Sequence, residues 1–389
     1  MKKICVVTGS RAEYGLLQPL IGRIQKSEVL ELMLVVSGSH LSEEFGRTAD
    51  EIVADGHEIS AEVEMQLSSD SGVGTGKSLG LGIIGFSDVL NMAKPDAIVL
   101  LGDRYEILAV ACAALFLGIP VVHLHGGEKT EGSSDDAIRH AITKMSHYHF
   151  VASPEYRNRV IQLGEQPHRV VVSGGLGVDA ADQTNLLSRK DLEQALGFPL
   201  ASKNLLITFH PATLSESDSV SDLSQLLEAL DHFDNCRLLF TGPNADSQGR
   251  ELKKMILDFC EERPNAYFVE SLGSIKYFSC LSIFDAMIGN SSSGLAEAPS
   301  FGLPTINVGN RQQGRLRADT VIDVPASQEL ISKAIEAVLT SRQRKGFSKG
   351  SKVPYGQPGS SEIITKMLED TDFRKFESKS FHDLPAVDP

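Results

Sequence analysis

Two α/β units, each built on a parallel sheet, are what the 389-residue sequence predicts, on three observations. The chain is too long for one ordinary core and suits two domains of similar size. Short β-branched runs ending in Gly or polar residues alternate with amphipathic stretches, which is the pattern of βαβ units. These runs fall into two sets of six, each the length of one Rossmann-like unit.

In the first half the strand candidates are "ICVVTG", "LELMLVVSG", "DAIVLLGD", "PVVHLHG", "YHFVAS" and "RVVVSG". In the second they are "NLLITFHP", "CRLLFTGP", "AYFVES", "AMIGN", "PTINVG" and "VIDVP". Between the sets, Leu176 to about Ser188 lacks a strand pattern and reads as a hinge. The expected domains are therefore 1–178 and 179–389, with the late helix "SSEIITKMLED" free to pack back on the first.

Composition narrows the function. With 41% hydrophobic and 23% charged residues, the chain reads as soluble and globular. A formal charge of −14 argues against nucleic acid, whose binders present a basic face. The five cysteines form no CxxC pair and mostly sit in apolar stretches, as small hydrophobes in a reducing cytoplasm. The opening "MKKICVVTGSRAEYG" has too short an apolar run for a signal peptide. The longest uncharged apolar run, "ILAVACAALFLGIPVV", is 16 residues interrupted by Gly118 and Pro120, so it reads as a buried helix and a strand. The expected location is cytoplasmic, with no membrane partner.

Ligands of open parallel sheets bind beyond the carboxyl ends of the strands. The residues there are polar: Ser10-Arg11, Asp103-Arg104, His125 to Glu128, His210, Asn244 and Asn290 to Ser293. "SGVGTGKS", Ser71 to Ser78, imitates a phosphate loop, but position 71 is Ser where that pattern needs Gly, and no strand runs into it. A mobile Gly-rich loop is expected instead. "IGNSSSGLAEA" is stronger. A strand into Asn290, then Ser291, Ser292 and a helix, offers backbone N–H groups and hydroxyls to a phosphate; an ordinary Ser N-cap is the plain alternative. Glu297, one turn on, suits a ribose diol, and Arg11 and Arg311 supply cationic forks for a diphosphate.

The stretch "HLHGGEKTEGSSDDAIRH", His123 to His140, packs three histidines, two glutamates and an Asp pair into eighteen residues. Joint metal ligation by His123 and His125 is awkward, because a continuing strand points them to opposite faces unless the chain turns at His125. An acid/base site takes Glu128, Asp135 and Asp136 together with Asp103 and His210, although one Asp of the pair can serve as a helix cap. His140 is expected to serve packing or support.

These motifs together resemble the UDP-N-acetylglucosamine 2-epimerases, and within them the hydrolysing branch that starts sialic-acid-type sugar biosynthesis. "TGSRAEYG", "LGDRYE", "HLHGGE", "DDAIRHAITK", "TFHP", "IGNSSSGLAEA" and "NVGNRQ" carry the resemblance in that order along nearly the whole chain. It implies two facing Rossmann-like domains of the glycosyltransferase type B fold, an active site in the cleft between them, no cofactor and no metal, and a homo-oligomer, dimer or tetramer. It implies that Arg11, Ser291, Ser292, Glu297 and Arg311 hold uridine diphosphate, with Arg104 and Asn244 at neighbouring strand ends, and that His210 lies beside the diphosphate. The resemblance also implies that Asp103, with Asp135 or Asp136, belongs to the catalytic set. Many relatives carry Glu where this chain has His125, so either Glu128 replaces that carboxylate or the imidazole does. UDP-N-acetylglucosamine is the expected substrate, converted to N-acetylmannosamine and UDP. UDP-N,N'-diacetylbacillosamine, a GDP-linked analogue, or a glycosyltransferase reaction on the same fold are the alternatives.

Overall fold

The computed structural model describes residues 1–43, 46–69, 71–131, 133–211, 218–243, 248–340, 354–375 and 379–385. The chain divides into two compact units. One comprises Met1–Glu128, Asp135–Ala180 and Tyr355–Pro389, the other Lys129–Ser134 and Ala181–Pro354.

Up to residue 183 the elements are β1 (Lys2–Thr8), α1 (Arg11–Lys26), β2 (Leu30–Ser37), α2 (Ala49–Ala54), β3 (Ala61–Val63), α3 (Gly72–Ala93), β4 (Ala97–Leu101), α4 (Tyr105–Leu117), β5 (Val121–Leu124), α5 (Ser134–Met145), β6 (Tyr148–Val151), α6 (Pro154–Gln162), β7 (Val170–Val172) and α7 (Leu176–Gln183). The strands form one seven-stranded sheet in the order β3-β2-β1-β4-β5-β6-β7, with parallel neighbours. Strand β1 is buried on both faces. Ile4 and Val6 join Leu17, Leu20 and Ile21 of α1, while Cys5 and Val7 join Phe86, Ile107 and Val110 from α3 and α4. A near-continuous apolar run is what a parallel strand covered on both sides requires.

Three features differ from the sequence expectation. The first sheet has a seventh strand, β3, whose three residues pair with Val35 to Ser37 at the sheet edge and are too few to show a period. Ser71 to Ser78 is not a mobile loop. Ser71 caps α3 by accepting the Gly74 N–H at 3.1 Å, and a Cβ at Gly74 would meet Ser69 Oγ at 2.5 Å, so Gly permits the close start of this helix. Leu176 to Gln183, the first part of the expected hinge, is helical.

The second unit continues with α8 (Arg189–Leu196), β8 (Lys203–Thr208), α9 (Ser219–Leu230), β9 (Cys236–Thr241), α10 (Gly249–Glu261), β10 (Ala266–Val269), α11 (Gly273–Ile283), β11 (Ala286–Gly289), α12 (Ser293–Ala296), β12 (Thr305–Val308), β13 (Val321–Val324) and α13 (Gln328–Thr340). Its six-stranded parallel sheet runs β10-β9-β8-β11-β12-β13. The core packs Leu205, Ile207, Leu238 and Ile288 against Leu223, Ile256 and Ile331.

The last helix, α14 (Ser360–Asp370), belongs to the first unit. Ile364 and Leu368 join the core beside α1. Its start is held by buried Asp179, whose carboxylate accepts the Gly359 and Ser361 N–H groups at 2.7 and 2.9 Å, the position where a helix dipole favours negative charge. In both sheets the strand order reverses once, between β1 and β4 and between β8 and β11. Such switch points open a crevice at the carboxyl ends of the strands.

Candidate active site

In the first unit the switch point is lined by the ends of β1 and β4. Beyond β1, Ser10 caps α1 and Arg11 is its first residue. Glu13, one turn in, accepts the Gly9 N–H at 2.7 Å and is buried. Burial, with the Glu106 carboxylate next in weight, pushes Glu13 up from the ordinary 4.5 to about 8. Beyond β4, Arg104 grips Glu106 with two donors at 3.3 Å each.

The residue that organises this end of the sheet is Arg139 of α5, which is 1% exposed. Its Nε donates to Asp103 Oδ2 at 2.9 Å, and Nη2 donates to the same oxygen. Nη1 donates to the Glu128 carbonyl at 2.8 Å and faces Asp136 Oδ1 at 3.4 Å. One guanidinium thus gathers Asp103 from the end of β4, Glu128 from the loop after β5, and Asp136 from its own helix. Asp135 and Asp136 lie in the first turn of α5, where the helix dipole favours carboxylates. His140 Nε2 is 3.6 Å from Asp136 Oδ2, a supporting contact.

The histidines in and just after β5 separate by role. His123 is fully buried, bonded to the Gly102 carbonyl at 2.8 Å and to Thr143 Oγ1 at 3.1 Å, and burial lowers its pKa to about 3. It is a neutral core residue. The chain leaves the strand at His125, whose φ is +63°. His125 Nδ1 is 3.0 Å from Glu128 Oε1, and His125 Nε2 accepts the Leu176 N–H at 3.0 Å. Gly127, at φ +79°, runs against the backbone of α6, where a Cβ would meet Tyr156 O at 2.4 Å. Glu128 itself is 2% exposed.

In the second unit, the switch point between β8 and β11 joins His210 to Asn290. The His210 N–H donates to Asn290 Oδ1 at 2.7 Å, and Asn290 Nδ2 returns a bond to the His210 carbonyl at 2.8 Å. Arg311 is buried, and its Nε and Nη1 donate to the carbonyls of Pro211 and Asn290 at 3.1 and 3.2 Å. Gln312 Nε2 adds a bond to the Asn290 carbonyl at 2.8 Å. Ser291 and Ser292 are half-buried at the start of α12, and buried Glu297 follows that helix. Gly289, at φ +131°, lets β11 close on β8, since a Cβ there would overlap Thr208 O. Asn244 lies outside the described residues.

The sequence profile of the UDP-N-acetylglucosamine 2-epimerase family matches residues 22–369. The chain belongs to this family. Within it the chain falls in the hydrolysing branch: it is 41% identical, over 98% of its length and 99% of the relative's, to the GDP/UDP-N,N'-diacetylbacillosamine 2-epimerase (hydrolyzing) of Campylobacter jejuni. It is 36% identical to polysialic acid biosynthesis protein P7 of Escherichia coli, over 99% of this chain and 98% of that one. The UDP-GlcNAc 2-epimerase of Neisseria meningitidis, solved with UDP-GlcNAc bound, superposes with a TM-score of 0.80 at 18% identity, covering 95% of this chain and all (100%) of that one. That likeness establishes the two-domain parallel-sheet fold.

In this 2-epimerase the first unit brings together Asp103, Glu128 and Asp136 from the expected set, with His125 attached to Glu128. The second brings together His210, Asn290 and Arg311. Sequence reasoning missed Arg139, Glu13 and Glu106. All three stand inside the quoted motifs, and Asp136 and Arg139 are spaced i, i+3 on α5, a signal for a same-face ion pair. Among the described residues no group of three or more His, Cys, Asp or Glu side chains is arranged to hold a metal ion, and no helix is long and apolar enough to cross a membrane.

Proposed function

We propose that the chain catalyses hydrolytic 2-epimerisation of a UDP-linked 2-acetamido sugar, with UDP-N,N'-diacetylbacillosamine as the preferred substrate. The observation that carries the reaction class is the cluster of Asp103, Glu128 and Asp136 around the buried Arg139. A glycosyltransferase on this fold needs an acceptor site and has no use for such an acidic cluster beyond β4 and β5. The preferred sugar is supported by the Campylobacter jejuni relative. UDP-N-acetylglucosamine, expected from the sequence, is the second reading, favoured by the family description.

The reaction runs in two balanced steps. A base takes the C2 proton while the C1–O bond to the diphosphate breaks, giving UDP and a 2-acetamidoglycal. Water then adds across the C1–C2 double bond, hydroxyl to C1 and a proton to C2 on the opposite face from the one first lost. The C2 proton is weakly acidic, so departure of the diphosphate leads. Arg11, Arg104, His210, Asn244, Ser291, Ser292 and Arg311 are assigned to the nucleotide, with Glu297 on the ribose. Preorganised donors of this kind usually give the largest catalytic term. Glu128, Asp103 and the Asp135–Asp136 pair are assigned to proton transfer, which adds roughly 10²- to 10⁴-fold. The partner is thus a small nucleotide sugar, and self-association into a homo-oligomer belongs to the same proposal.

Incubation in deuterated water with each UDP sugar, without an acceptor, tests the reading. The expected products are free UDP and a free 2-epimerised sugar carrying one deuterium at C2. Product still attached to UDP, or turnover only with an added acceptor, would sink it.

A further inference from the structure

We infer that His125 is a positioning residue, a neutral imidazole protonated at Nδ1 that aims the Glu128 carboxylate, and that it is not itself an acid or base in the reaction. The inference rests on the hydrolysing 2-epimerase reading above. The sequence leaves the choice between His125 and Glu128 open, and the two ring contacts of His125 favour Glu128 for proton transfer.

The tautomer follows from the partners. A backbone amide only donates, so the Leu176 N–H at 3.0 Å requires a lone pair on His125 Nε2. In a neutral ring the proton then sits on Nδ1, which lies 3.0 Å from Glu128 Oε1 and donates to it. Donation to a carboxylate is charge-assisted, and Glu128 is 2% exposed, so solvent competes little for that oxygen. Both ring nitrogens are engaged. A base role for the imidazole would require Nε2 to release the Leu176 amide first.

The backbone supports the same role. At φ +63° His125 occupies the left-handed region, which non-glycine residues visit rarely. Strained conformations persist where surrounding contacts impose them, and they cluster at functional sites. Here the His125 N–H donates to the Phe150 carbonyl of β6 at 2.8 Å. A chain continuing as a strand would put successive side chains on opposite faces. The turn at His125 breaks that alternation and lets the ring reach a residue three positions ahead. At the other end of Glu128, Arg139 Nη1 holds the backbone carbonyl at 2.8 Å. The carboxylate is therefore fixed through its own oxygen and through its main chain.

Two variants separate the halves of this contact. Asn tolerates the left-handed backbone and places an amide nitrogen near the Nδ1 position, so His125→Asn keeps a donor to Glu128 and loses the acceptor for Leu176. His125→Gln reaches toward the Nε2 position, so it keeps the acceptor and loses the donor. The expected result is a kcat drop of about 100-fold for His125→Gln, the size of effect of misplacing a catalytic group by about 1 Å, with KM nearly unchanged. His125→Asn should stay within about tenfold of wild type. Equal loss in both variants, with one limb of the pH–rate profile gone from each, would assign proton transfer to the imidazole and overturn the inference. Equal turnover per folded molecule in both would reduce His125 to a structural residue and overturn it as well. Nitrogen-15 NMR of histidine-labelled enzyme gives a readout independent of turnover: the Nδ1–H tautomer is expected for His125, perturbed in Glu128→Ala. An Nε2–H tautomer or an imidazolium at neutral pH overturns the inference. If wild-type enzyme releases no UDP from either sugar, the reaction reading fails while the NMR result still decides the tautomer.

Discussion

Arg139 donates two of its guanidinium nitrogens to a single carboxylate oxygen of Asp103, which stands 36 residues earlier in the chain. The same side chain reaches the Glu128 carbonyl and Asp136, so the three carboxyl-bearing residues of the first unit share one buried cation. Without that cation, the carboxylates of Asp103 and Asp136 would lose their shared counter-charge and the Glu128 carbonyl a donor. With it, their spacing is set by a planar fork rather than by loop conformation.

Replacing Arg139 with Met should therefore damage both folding and chemistry. Breaking a buried ion pair by removing one partner costs about 3 kcal/mol or more, because it strands the other charge. Urea midpoints should fall accordingly, and kcat should drop by at least about 100-fold, the penalty of catalytic groups displaced by about 1 Å. Arg139→Lys keeps the charge but replaces the fork with a point donor, so it should recover much of the stability and little of the turnover. Wild-type kcat in Arg139→Lys would show that the fork geometry is not needed.

Glu13 gives a prediction in pH. Its carboxyl is held at about 8, against an ordinary 4.5, by burial first and by the Glu106 carboxylate second. The folded chain thus keeps a proton that the unfolded chain surrenders. The stability this proton contributes is fully present below the unfolded value and is lost as pH rises through the folded one. Glu13→Gln cannot ionise and retains an oxygen for the Gly9 N–H. Its melting temperature should fall less than that of wild type between about pH 5 and pH 8. Parallel stability curves for the two proteins would refute the assignment.

The same residues show what the sequence discloses and what it hides. Twelve of the strands are legible as short apolar runs, and inner ones such as Ile4–Val7 and Leu205–Ile207 are buried on both faces and stay apolar. β3, "AEV", is hidden because three edge residues show no period. The start of α3 reads as a loop because glycines disfavour helix, and of those between Ser71 and Ser78 only Gly74 has a close contact, over Ser69, that a Cβ would break. At the site, residue types at strand ends identify Asp103, Glu128 and His210, since the fold class places every such residue beyond a carboxyl end. The i, i+3 spacing signals the pairing of Arg139 with Asp136, but its grip on Asp103 depends on a contact across 36 positions, and the turn at His125 on one backbone angle.

His210 and Asn290 should separate catalysis from folding in the second unit. Their two mutual bonds, at 2.7 and 2.8 Å, use the His210 backbone and the Asn290 side chain, so the imidazole is not needed for the join. His210→Ala should keep its melting temperature and lose about 100-fold or more in kcat, as expected of a group beside the leaving diphosphate. Asn290→Ala removes both of these bonds, at about 1 kcal/mol each, and should lose about 2 kcal/mol of stability. Near-normal turnover in a folded His210→Ala would make this histidine structural.

The sugar is decided by competition. UDP-N,N'-diacetylbacillosamine differs from UDP-N-acetylglucosamine by an acetamido group in place of the C4 hydroxyl and by a methyl in place of the C6 hydroxymethyl. A site built to hydrogen-bond the 4-acetamido group is left with unpaired polar atoms when a hydroxyl takes its place, a mismatch that can reach about 10⁴-fold, whereas the C6 change in an apolar pocket is worth about tenfold. Equal amounts of the two UDP sugars and of the GDP-linked diacetyl sugar, supplied together, should therefore be consumed in unequal order. The expected outcome is a kcat/KM at least about tenfold higher for the UDP-linked diacetyl sugar than for UDP-N-acetylglucosamine. The GDP sugar tests the base separately, because Glu297, assigned to the ribose, does not distinguish uridine from guanosine. Its consumption at a rate comparable to the UDP form would place the discrimination on the hexose alone. Preference for UDP-N-acetylglucosamine would overturn the proposed substrate and leave the reaction class standing.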